Sequence, residues 1–422
     1  MFRRLLAGAT AVLMVGSVAP VTADPAVEVA AGGALQAAVD AAPPGATLRL
    51  APGEHLGPIT IRRPLTLAGP RSAVVRSDGR GTTIDVLADD VTLSGFTIHG
   101  SGDRPDLTDA AVHVRGDDVR VEGLRIVAAL FGVAAERSRR VAVVGNEIVG
   151  DPATPVGLRG DGVRLWETHD SRIEGNTLDH GRDVVVWYAS NNRVIGNVVR
   201  DGRYGTHLMY SDGTTIEDNR YAGNVVGVFI MYSRDVKVRR NLLAYTSDLG
   251  MGLGAKDSGG LVVEDNRCVR NETGLYLDGS PFRPEDANVF RGNRFELCET
   301  AVVLHSSQVR NTFEDNAFRA NREQVRVEGR GDALGVDWKR NYFDDYEGYD
   351  FDRDGLGDVP YESRSFSNRA IGKRPELAFF RGTPALGLLD MVGRVFPLFQ
   401  PSPVLVDPSP RMAPPAVGEG AP

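Results

Sequence analysis

The feature that most constrains the fold is a recurring asparagine, usually preceded by Gly or Asp and followed two places later by an apolar residue. Successive asparagines are 21 to 30 residues apart, with short apolar stretches and polar turns between them. A period in the low twenties is typical of a stacked solenoid in which each repeat forms one coil. These asparagines are Asn146, Asn176, Asn197, Asn219, Asn241, Asn266, Asn293, Asn316 and Asn341.

The composition of the repeats indicates which class of solenoid the chain forms. Leucine-rich repeats share the period but need a leucine ladder, and helical repeats need longer apolar segments and fewer than the 49 glycines of this chain. We therefore expect an all-β, right-handed parallel β-helix of roughly ten or more coils, with a short N-terminal cap and a C-terminal extended or helical tail. The asparagine amides should bond from coil to coil inside a turn. The apolar residues that follow them should point inward: Ile148, Leu178, Val199, Tyr221, Leu243, Cys268, Phe295, Phe318 and Phe343.

Four segments are predicted along the chain. Residues 1–23 read as a secretory signal, with Arg3 and Arg4 before an apolar run too short to span a bilayer comfortably. Residues 24–90 form the N-terminal cap and first coils, with a short helix at 35–39. Residues 91–343 are the β-helix repeats. Residues 344–422 hold an acidic loop and a Pro-rich tail, in which the helix-like run 376–399 either caps the last coil or docks on a partner.

Charge and cysteine content narrow the class of protein further. The net charge of -8 argues against nucleic acid as a partner, because binding phosphates requires a basic surface. The signal sequence predicts export, and no later stretch is long and apolar enough to cross a membrane. Cys268 and Cys298 could pair in an oxidising compartment, but they fall in different columns of adjacent coils. We expect both to be small buried fillers.

Several runs in the central coils resemble NosD proteins. They are THLMYSD at 206–212, VFIMYS at 228–233, MGLGAKDS at 251–258 and GLYLDGSP at 274–281, together with NYFDDY at 341–346 and LAFFRG at 377–382. The resemblance spans nearly all of the chain after the signal. It implies a periplasmic accessory protein without enzymatic activity that helps to assemble the copper centre of nitrous oxide reductase. It also implies, as partners, an ABC transporter (NosF-like ATPase and NosY-like permease) that holds it at the membrane, a NosL-like copper chaperone and the reductase itself.

The residues themselves point to a site on one face of the helix. Aligning the strands that begin near residues 162, 183, 205, 227, 252, 274 and 301 gives an apolar inward alternation of period two. The outward positions should be polar by the same logic. Instead, one outward column contains apolar side chains at four successive coils. That column reads Trp166, Trp187, Met209, Met231, Lys256, Asp278 and His305, and its neighbour reads Arg164, Val185, His207, Phe229, Gly254, Tyr276 and Val303.

Two compatible hypotheses explain these columns, and a third interpretation is that a loop covers this face. Thioether and imidazole groups suit Cu(I), so His207, Met209 and Met231 are predicted to form a shallow, labile copper site. Alternatively, the stripe is a dry docking surface for a partner protein, with methionines chosen for adaptability. Its docking residues are then Trp166, Trp187, Phe229 and Tyr276.

A carbohydrate-active enzyme, such as a polysaccharide lyase or epimerase, is the alternative function. Lys256, Asp278 and His305 fall in one column, beside Asp257 and Tyr276, and resemble an acid–base cluster on a β-helix face. The simpler interpretation is a Lys–Asp surface pair.

The acidic loop is a candidate calcium site. Asp350, Asp352, Asp354 and Asp358 place oxygen donors near a turn, as at the start of a calcium-binding loop. Tyr361 stands where an EF-hand has its glutamate, so any Ca²⁺ would be structural. The alternative is a plain acidic turn whose carboxylates accept local hydrogen bonds.

Overall fold

The computed structural model describes residues 26–246, 249–305, 309–329, 332–364, 374–380, 383–385, 388, 391–392 and 403–415. The predicted signal, residues 1–23, lies outside this range. The described chain is an all-β, right-handed parallel β-solenoid of about 13 turns with very little helix, as predicted. Three parallel sheets, here called A, B and C, run along it with 14, 13 and 12 strands.

Each coil contributes one short strand to each sheet. Sheet A consists of Val27–Val29, Ala46–Leu50, Leu65–Ala68, Val91–Ser94, Arg120–Glu122, Ala142–Val144, Arg172–Glu174, Arg193–Ile195, Thr215–Glu217, Lys237–Arg239, Val262–Glu264, Asn288–Arg291, Asn311–Glu314 and Asp337–Lys339. Sheet B consists of Gly53–Leu56, Ala73–Arg76, Thr97–His99, Arg125–Val127, Glu147–Val149, Thr177–Asp179, Val198–Arg200, Arg220–Ala222, Leu242–Ala244, Arg267–Val269, Arg294–Glu296, Ala317–Arg319 and Tyr342–Phe343. Sheet C consists of Ile59–Ile61, Ile84–Val86, Ala110–Val114, Phe131–Glu136, Val163–Trp166, Asp183–Trp187, Tyr204–Met209, Val226–Met231, Met251–Lys256, Thr273–Asp278, Thr300–His305 and Glu323–Glu328.

Helices are few and short. The α-helix Leu35–Ala41 lies where the sequence predicts a capping helix, with Leu35 and Val39 buried. Within the described residues, three 3₁₀ helices cover Pro105–Leu107, Val156–Leu158 and Pro375–Phe380, and residues 384–385, 388 and 391–392 are helical.

The asparagine ladder holds successive coils in register. Asn176 Oδ1 accepts hydrogen bonds from the backbone N–H and from Nδ2 of Asn146, both at 2.9 Å, and Asn146 Nδ2 also donates to the carbonyl of Val121. The two bonds from backbone N–H and Nδ2 to the next asparagine recur down to the pair Asn316–Asn341, and all nine asparagines are buried. The residue before each asparagine adopts a positive φ, such as 61° at Gly145, and this explains the frequent glycine. The predicted ladder is confirmed.

The interior is a continuous apolar column. The nine residues predicted to point inward are all buried, and aromatic rings stack toward the C-terminal end, with 4.8 Å between the centroids of Phe318 and Phe343. Cys268 and Cys298 are buried free thiols, and Cys298 Sγ lies 3.8 Å from the carbonyl oxygen of Cys268. Burial raises the pKa of both thiols, so they stay protonated. They fill space in the core, as expected.

A returning C-terminal segment closes the last coil. The strand Leu405–Asp407 pairs antiparallel with Tyr361–Ser363, and the ring of Tyr361 stacks on Phe343 at 3.9 Å. Asp407 Oδ2 accepts from the backbone N–H and Nδ2 of Asn341, at 3.0 and 2.9 Å, so a carboxylate takes the place of the next ladder asparagine. The run 376–399 was an alternative candidate for this cap. Its Phe380 is half exposed, and most of the run lies outside the described residues.

A buried ion cluster borders the outer face of sheet C. Asp161 Oδ1 is 2.8 Å from Arg182 Nη2, and Asp183 pairs with Arg203. The side chains of both aspartates are almost completely buried. Burial, opposed by Arg182, raises the pKa of Asp161 to about 6. These buried ion pairs therefore place charged groups beside the face of sheet C that carries the candidate site.

The carboxylate at the end of the ladder can be tested by two substitutions. Asp407→Ala leaves two buried donors of Asn341 without an acceptor, and we expect it to lower the free energy of unfolding by about 1–3 kcal/mol. Asp407→Asn keeps an amide oxygen for both donors and should stay closer to the parent protein. Urea unfolding measures the difference; equal stability of the Ala and Asn variants would contradict a role in ending the ladder.

The buried Asp161 predicts a pH dependence of stability. The pKa of Asp161 is about 6 in the folded protein, against 3.8 for an ordinary aspartate such as that of the unfolded chain. Ionisation of this carboxyl group therefore disfavours the folded state. The cost is absent below about pH 3.8, grows as the pH rises and is complete above about pH 6, reaching at most roughly 3 kcal/mol. Relative to Asp161→Asn, the parent should therefore lose stability between pH 4 and 7. Urea unfolding of both proteins at each pH checks this, and a constant difference would show that Asp161 does not titrate there.

Candidate functional site

Sheet C aligns both outward columns as the sequence predicts. The first column runs in register through Trp166, Trp187, Met209, Met231, Lys256, Asp278 and His305. The second runs through Arg164, Val185, His207, Phe229, Gly254, Tyr276 and Val303. The inward residues between them are buried. Residues about 22 positions apart in sequence thus become neighbours on adjacent rungs.

The three predicted copper ligands lie on two adjacent rungs, and two of them are in contact. His207 Nε2 lies 3.4 Å from Met231 Sδ on the next strand. Met209 is two residues from His207 on the same face and is the register partner of Met231. Both methionines are half-buried, so the thioethers remain reachable from the surface.

His207 is more enclosed than an outward position predicts. Only 6% of it is exposed, because rings from three strands surround the imidazole. The centroid distances are 4.6 Å to Tyr204, 5.2 Å to Trp187 in an edge-on arrangement and 6.0 Å to Phe229. The sequence predicted a shallow site. The structure corrects this for His207, whose imidazole is buried, whereas Met209 and Met231 are half-buried.

Burial also determines the charge of the imidazole. It lowers the pKa of His207 to about 4, against an attraction from Asp183 that raises it. His207 is therefore neutral at physiological pH, the form that binds metals. Its Nδ1 is buried without a hydrogen-bond partner, and so is Nε1 of Trp187. Buried polar atoms normally have hydrogen-bond partners. These two nitrogens therefore need an explanation other than the packing of the fold.

The spacing of the donor atoms suits one shared metal ion. Metal–nitrogen and metal–sulfur bonds of about 2.0 and 2.3 Å at a tetrahedral angle place the two donor atoms about 3.5 Å apart. The observed 3.4 Å between His207 Nε2 and Met231 Sδ matches this value. A neutral imidazole with two thioethers is a donor set that favours Cu(I). The residues therefore fit copper, and the same contact serves as an N–H···S hydrogen bond without it.

Aromatic side chains form a stripe beside the methionines. Trp166 and Trp187 have ring centroids 5.7 Å apart, and Phe229 and Tyr276 are half-buried farther along the second column. A ladder that the sequence analysis missed lies next to it: Tyr188, Tyr210 and Tyr232 stack at 5.2 and 4.9 Å. Its signal was visible, since each tyrosine directly follows a member of the first column.

The tyrosine ladder has an unusual backbone. All three tyrosines have a positive φ of 50° to 53°, a strained conformation for bulky residues. Tyr188 and Tyr210 are 40% and 47% exposed, so the ladder adds aromatic area to the surface beside the methionines.

Two members of the cluster expected of a carbohydrate enzyme pair with each other. Lys256 Nζ lies 2.7 Å from Asp278 Oδ2, and this contact raises the pKa of the lysine. Lys256 is therefore a poor base at neutral pH. The simpler interpretation, an ion pair of small energetic worth, accounts for both residues.

The acidic loop brings three of its four aspartates together. Carboxylate oxygens of Asp350, Asp352 and Asp358 lie within 4.8 Å of one another. Asp354 is not part of this group, and its Oδ1 accepts a hydrogen bond from the backbone N–H of Leu356 at 2.7 Å. The other three also accept local backbone hydrogen bonds, for example from Phe351 to Asp358 at 2.6 Å. The loop is a preformed acidic turn in which three carboxylates converge.

Two further histidines do not join the candidate copper ligands. His169 Nδ1 accepts from the backbone N–H of Ser190, and His180 Nδ1 lies 2.7 Å from a carboxylate oxygen of Asp179.

Comparison with known proteins identifies the family. A family model described as "Periplasmic copper-binding protein (NosD)" matches residues 116–348. A protein of Stutzerimonas stutzeri named "Probable ABC transporter binding protein NosD" is 30% identical over 392 residues, covering 86% of each chain. A protein of the same name from Pseudomonas aeruginosa is 29% identical over 406 residues, covering 87% of this chain and 88% of its own.

Solved structures are similar in fold alone. The catalytic unit of a GH87 α-1,3-glucanase from Streptomyces thermodiastaticus has a TM-score of 0.59 at 15% identity, over 80% of this chain and 71% of its own. The A-module of a mannuronan C-5 epimerase from Azotobacter vinelandii has a TM-score of 0.54 at 15% identity, over 72% of this chain and 93% of its own. Within the described residues, no helix has the length and apolarity to cross a membrane.

The family model covers more than half of the chain, including every residue of the candidate copper site, and the relatives align with most of it. This chain belongs to the NosD family of periplasmic copper-binding proteins.

Proposed function

We propose that this protein is a periplasmic, non-enzymatic copper-handling protein that works with an ABC transporter and a copper chaperone to assemble the copper centre of nitrous oxide reductase. The copper is cargo, held transiently as Cu(I) by His207, Met209 and Met231. The observation that carries the proposal is the 3.4 Å contact between His207 Nε2 and Met231 Sδ on adjacent strands. The family description as copper-binding and the relatives' name as transporter binding proteins support it.

The surroundings suit a site that releases its ion. The imidazole is neutral because its pKa is about 4, and it binds copper through Nε2 without a net loss of a proton when the ring proton is on Nδ1. Two thioethers are uncharged, so they hold a monovalent soft ion less tightly than thiolates would. The edge-on ring of Trp187 shields one side of the buried imidazole, while the half-buried methionines are reachable from the surface. Such a site can pass an ion between proteins.

The surrounding apolar surface is the proposed docking site. Trp166, Trp187, Phe229 and Tyr276 border the copper ligands along the two columns. Large aromatic side chains contribute much of the binding energy at protein interfaces. A partner that covered them would bring its own metal ligands over Met209 and Met231. Copper transfer and docking would then use one surface.

Removal of the sulfur atoms tests the copper site. Met209→Leu combined with Met231→Leu keeps volume and apolarity, so folding and association with the transporter should be preserved. The variant should bind Cu(I) at least about tenfold more weakly, since even supporting residues around a metal change affinity by about 10–100-fold. Competition with a colorimetric Cu(I) chelator gives the affinity. Reductase matured with the variant should contain less copper in its centre.

The control is Met412→Leu, which removes an exposed thioether in the C-terminal segment. It should leave Cu(I) affinity unchanged. His207→Phe should weaken binding as the double variant does, because it replaces the third ligand by an apolar ring. Unchanged Cu(I) affinity in both site variants, with fully active reductase, would eliminate this site and leave only docking for the surface.

We also propose that the acidic loop binds Ca²⁺ as a structural ion through Asp350, Asp352 and Asp358. Three converging carboxylates supply the oxygen ligands that calcium prefers. Calcium should then raise the melting temperature, because an ion that binds only the folded protein stabilises it by mass action. Asp352→Ala should abolish the shift and Asp354→Ala should retain it. No shift at millimolar calcium would leave a plain acidic turn.

A further inference from the structure

A small pocket opens on sheet C two rungs from the copper ligands. His113, Ala134 and Arg164 are register partners on three successive strands. The small side chain of Ala134 between two larger ones leaves a gap of about 140 Å³ in the column. Glu136, Trp166 and Thr108 complete its walls. No residue of the proposed copper site lines it, so it is a separate feature.

The Arg164 guanidinium is held by aromatic rings and not by a carboxylate. Its central carbon lies 5.1 Å from the ring centroid of Trp166, 5.8 Å from that of Trp187 and 5.9 Å from that of Phe131. In the described part of the chain it makes no hydrogen bond or ion pair. The arginines on the next two coils, Arg182 and Arg203, pair with buried aspartates instead. Arg164 therefore lines the pocket with a planar fork of donors that has no hydrogen-bonded acceptor, although Asp161 attracts its charge electrostatically.

The other polar groups leave that fork available. Glu136 Oε2 lies 3.6 Å from His113 Nε2 and Oε1 lies 3.9 Å from Arg137, so its carboxylate is shared between these two residues. Burial lowers the pKa of His113, so the imidazole is neutral at pH 7. Thr108, a residue with a hydroxyl group, also lines the wall. The pocket thus has a strong donor at one end and space for one planar group.

We propose that this pocket binds a carboxylate group, held by the two parallel N–H donors of Arg164 and flanked by the Trp166 ring. A carboxylate matches the planar guanidinium fork, and partly dehydrated pairs of this kind are the stronger hydrogen bonds in proteins. The carboxylate of Glu136 repels the incoming charge, so binding is weak and readily exchanged. The proposal does not depend on copper binding and can fail without affecting it.

Two kinds of molecule carry a carboxylate that would fit this pocket. The carboxylate belongs to a small free acid, or to an acidic side chain of a protein that docks on the adjacent apolar surface. Trp166 belongs to both the pocket and that surface. A docked acidic side chain would gain apolar contact with these rings, and a free acid would not. The two sources therefore differ in affinity.

Tryptophan fluorescence of the whole protein gives a direct measurement. Trp166 lines the pocket, whereas Trp338 is 2% exposed and stacks on Phe313 in the core. Acetate at constant ionic strength, with chloride as the reference anion, should change the emission saturably. The peptide N-acetyl-Leu-Asp-Leu-amide should do so at about tenfold or lower concentration if the source is a protein, and its Asn analogue should not. Equal molar affinities for acetate and peptide would indicate a free acid.

Three variants decide the proposal. Arg164→Gln should abolish the saturable response, and Arg164→Lys should weaken it about tenfold, because lysine keeps the charge but lacks the flat fork. Glu136→Gln should strengthen binding up to about fivefold by removing a like charge. This gain cannot come from misfolding, so it protects the test if the arginine variants are unstable. A response no larger than that to chloride, or one that persists in Arg164→Gln, would overturn the proposal.

Discussion

The rest of the structure depends on the hydrogen bonds between buried asparagine amides. Each amide after that of Asn146 accepts two bonds from the asparagine of the preceding coil and donates one to a backbone carbonyl there. An unsatisfied amide in this position would cost about 1–3 kcal/mol, so the ladder tolerates no slip between coils. The chain ends the ladder with the carboxylate of Asp407, which arrives from 66 residues beyond Asn341. Register is thereby set over the length of the solenoid.

The register between coils determines which side chains become neighbours on the outer face of sheet C. A one-residue slip would turn the side chains of a strand to the opposite side of the sheet. With the register held, His207 meets Met231 from 24 residues later, and Trp187 meets His207 from 20 residues earlier. These contacts do not exist within any one coil. A solenoid can therefore build a metal site from single residues, one or two per rung, on a rigid surface.

The same face carries three environments in sequence along the axis. An arginine held by aromatic rings lies at one end, soft ligands lie in the middle, and the Lys256–Asp278 ion pair lies beyond them. The soft ligands lie between two sets of charged groups. On one side aromatic rings hold the arginine, and on the other side Lys256 and Asp278 hold each other. This order suits a surface that receives a partner protein in one orientation, since charge fixes register while apolar area supplies affinity. The fold resembles those of polysaccharide enzymes, and a shared fold does not by itself imply a shared function.

The sequence by itself determined the solenoid, its ladder and both outward columns, because these depend on a period that local residue order carries directly. The burial of His207 could not be read from it, since that depends on how the rings of Tyr204 and Phe229 turn in three dimensions. The pocket at Arg164 was also hidden, because it arises from a small alanine 30 residues earlier and a threonine in a non-repeating loop. Periodicity specifies which residues share a column; only tertiary structure decides how their side chains pack and which of them lack a partner.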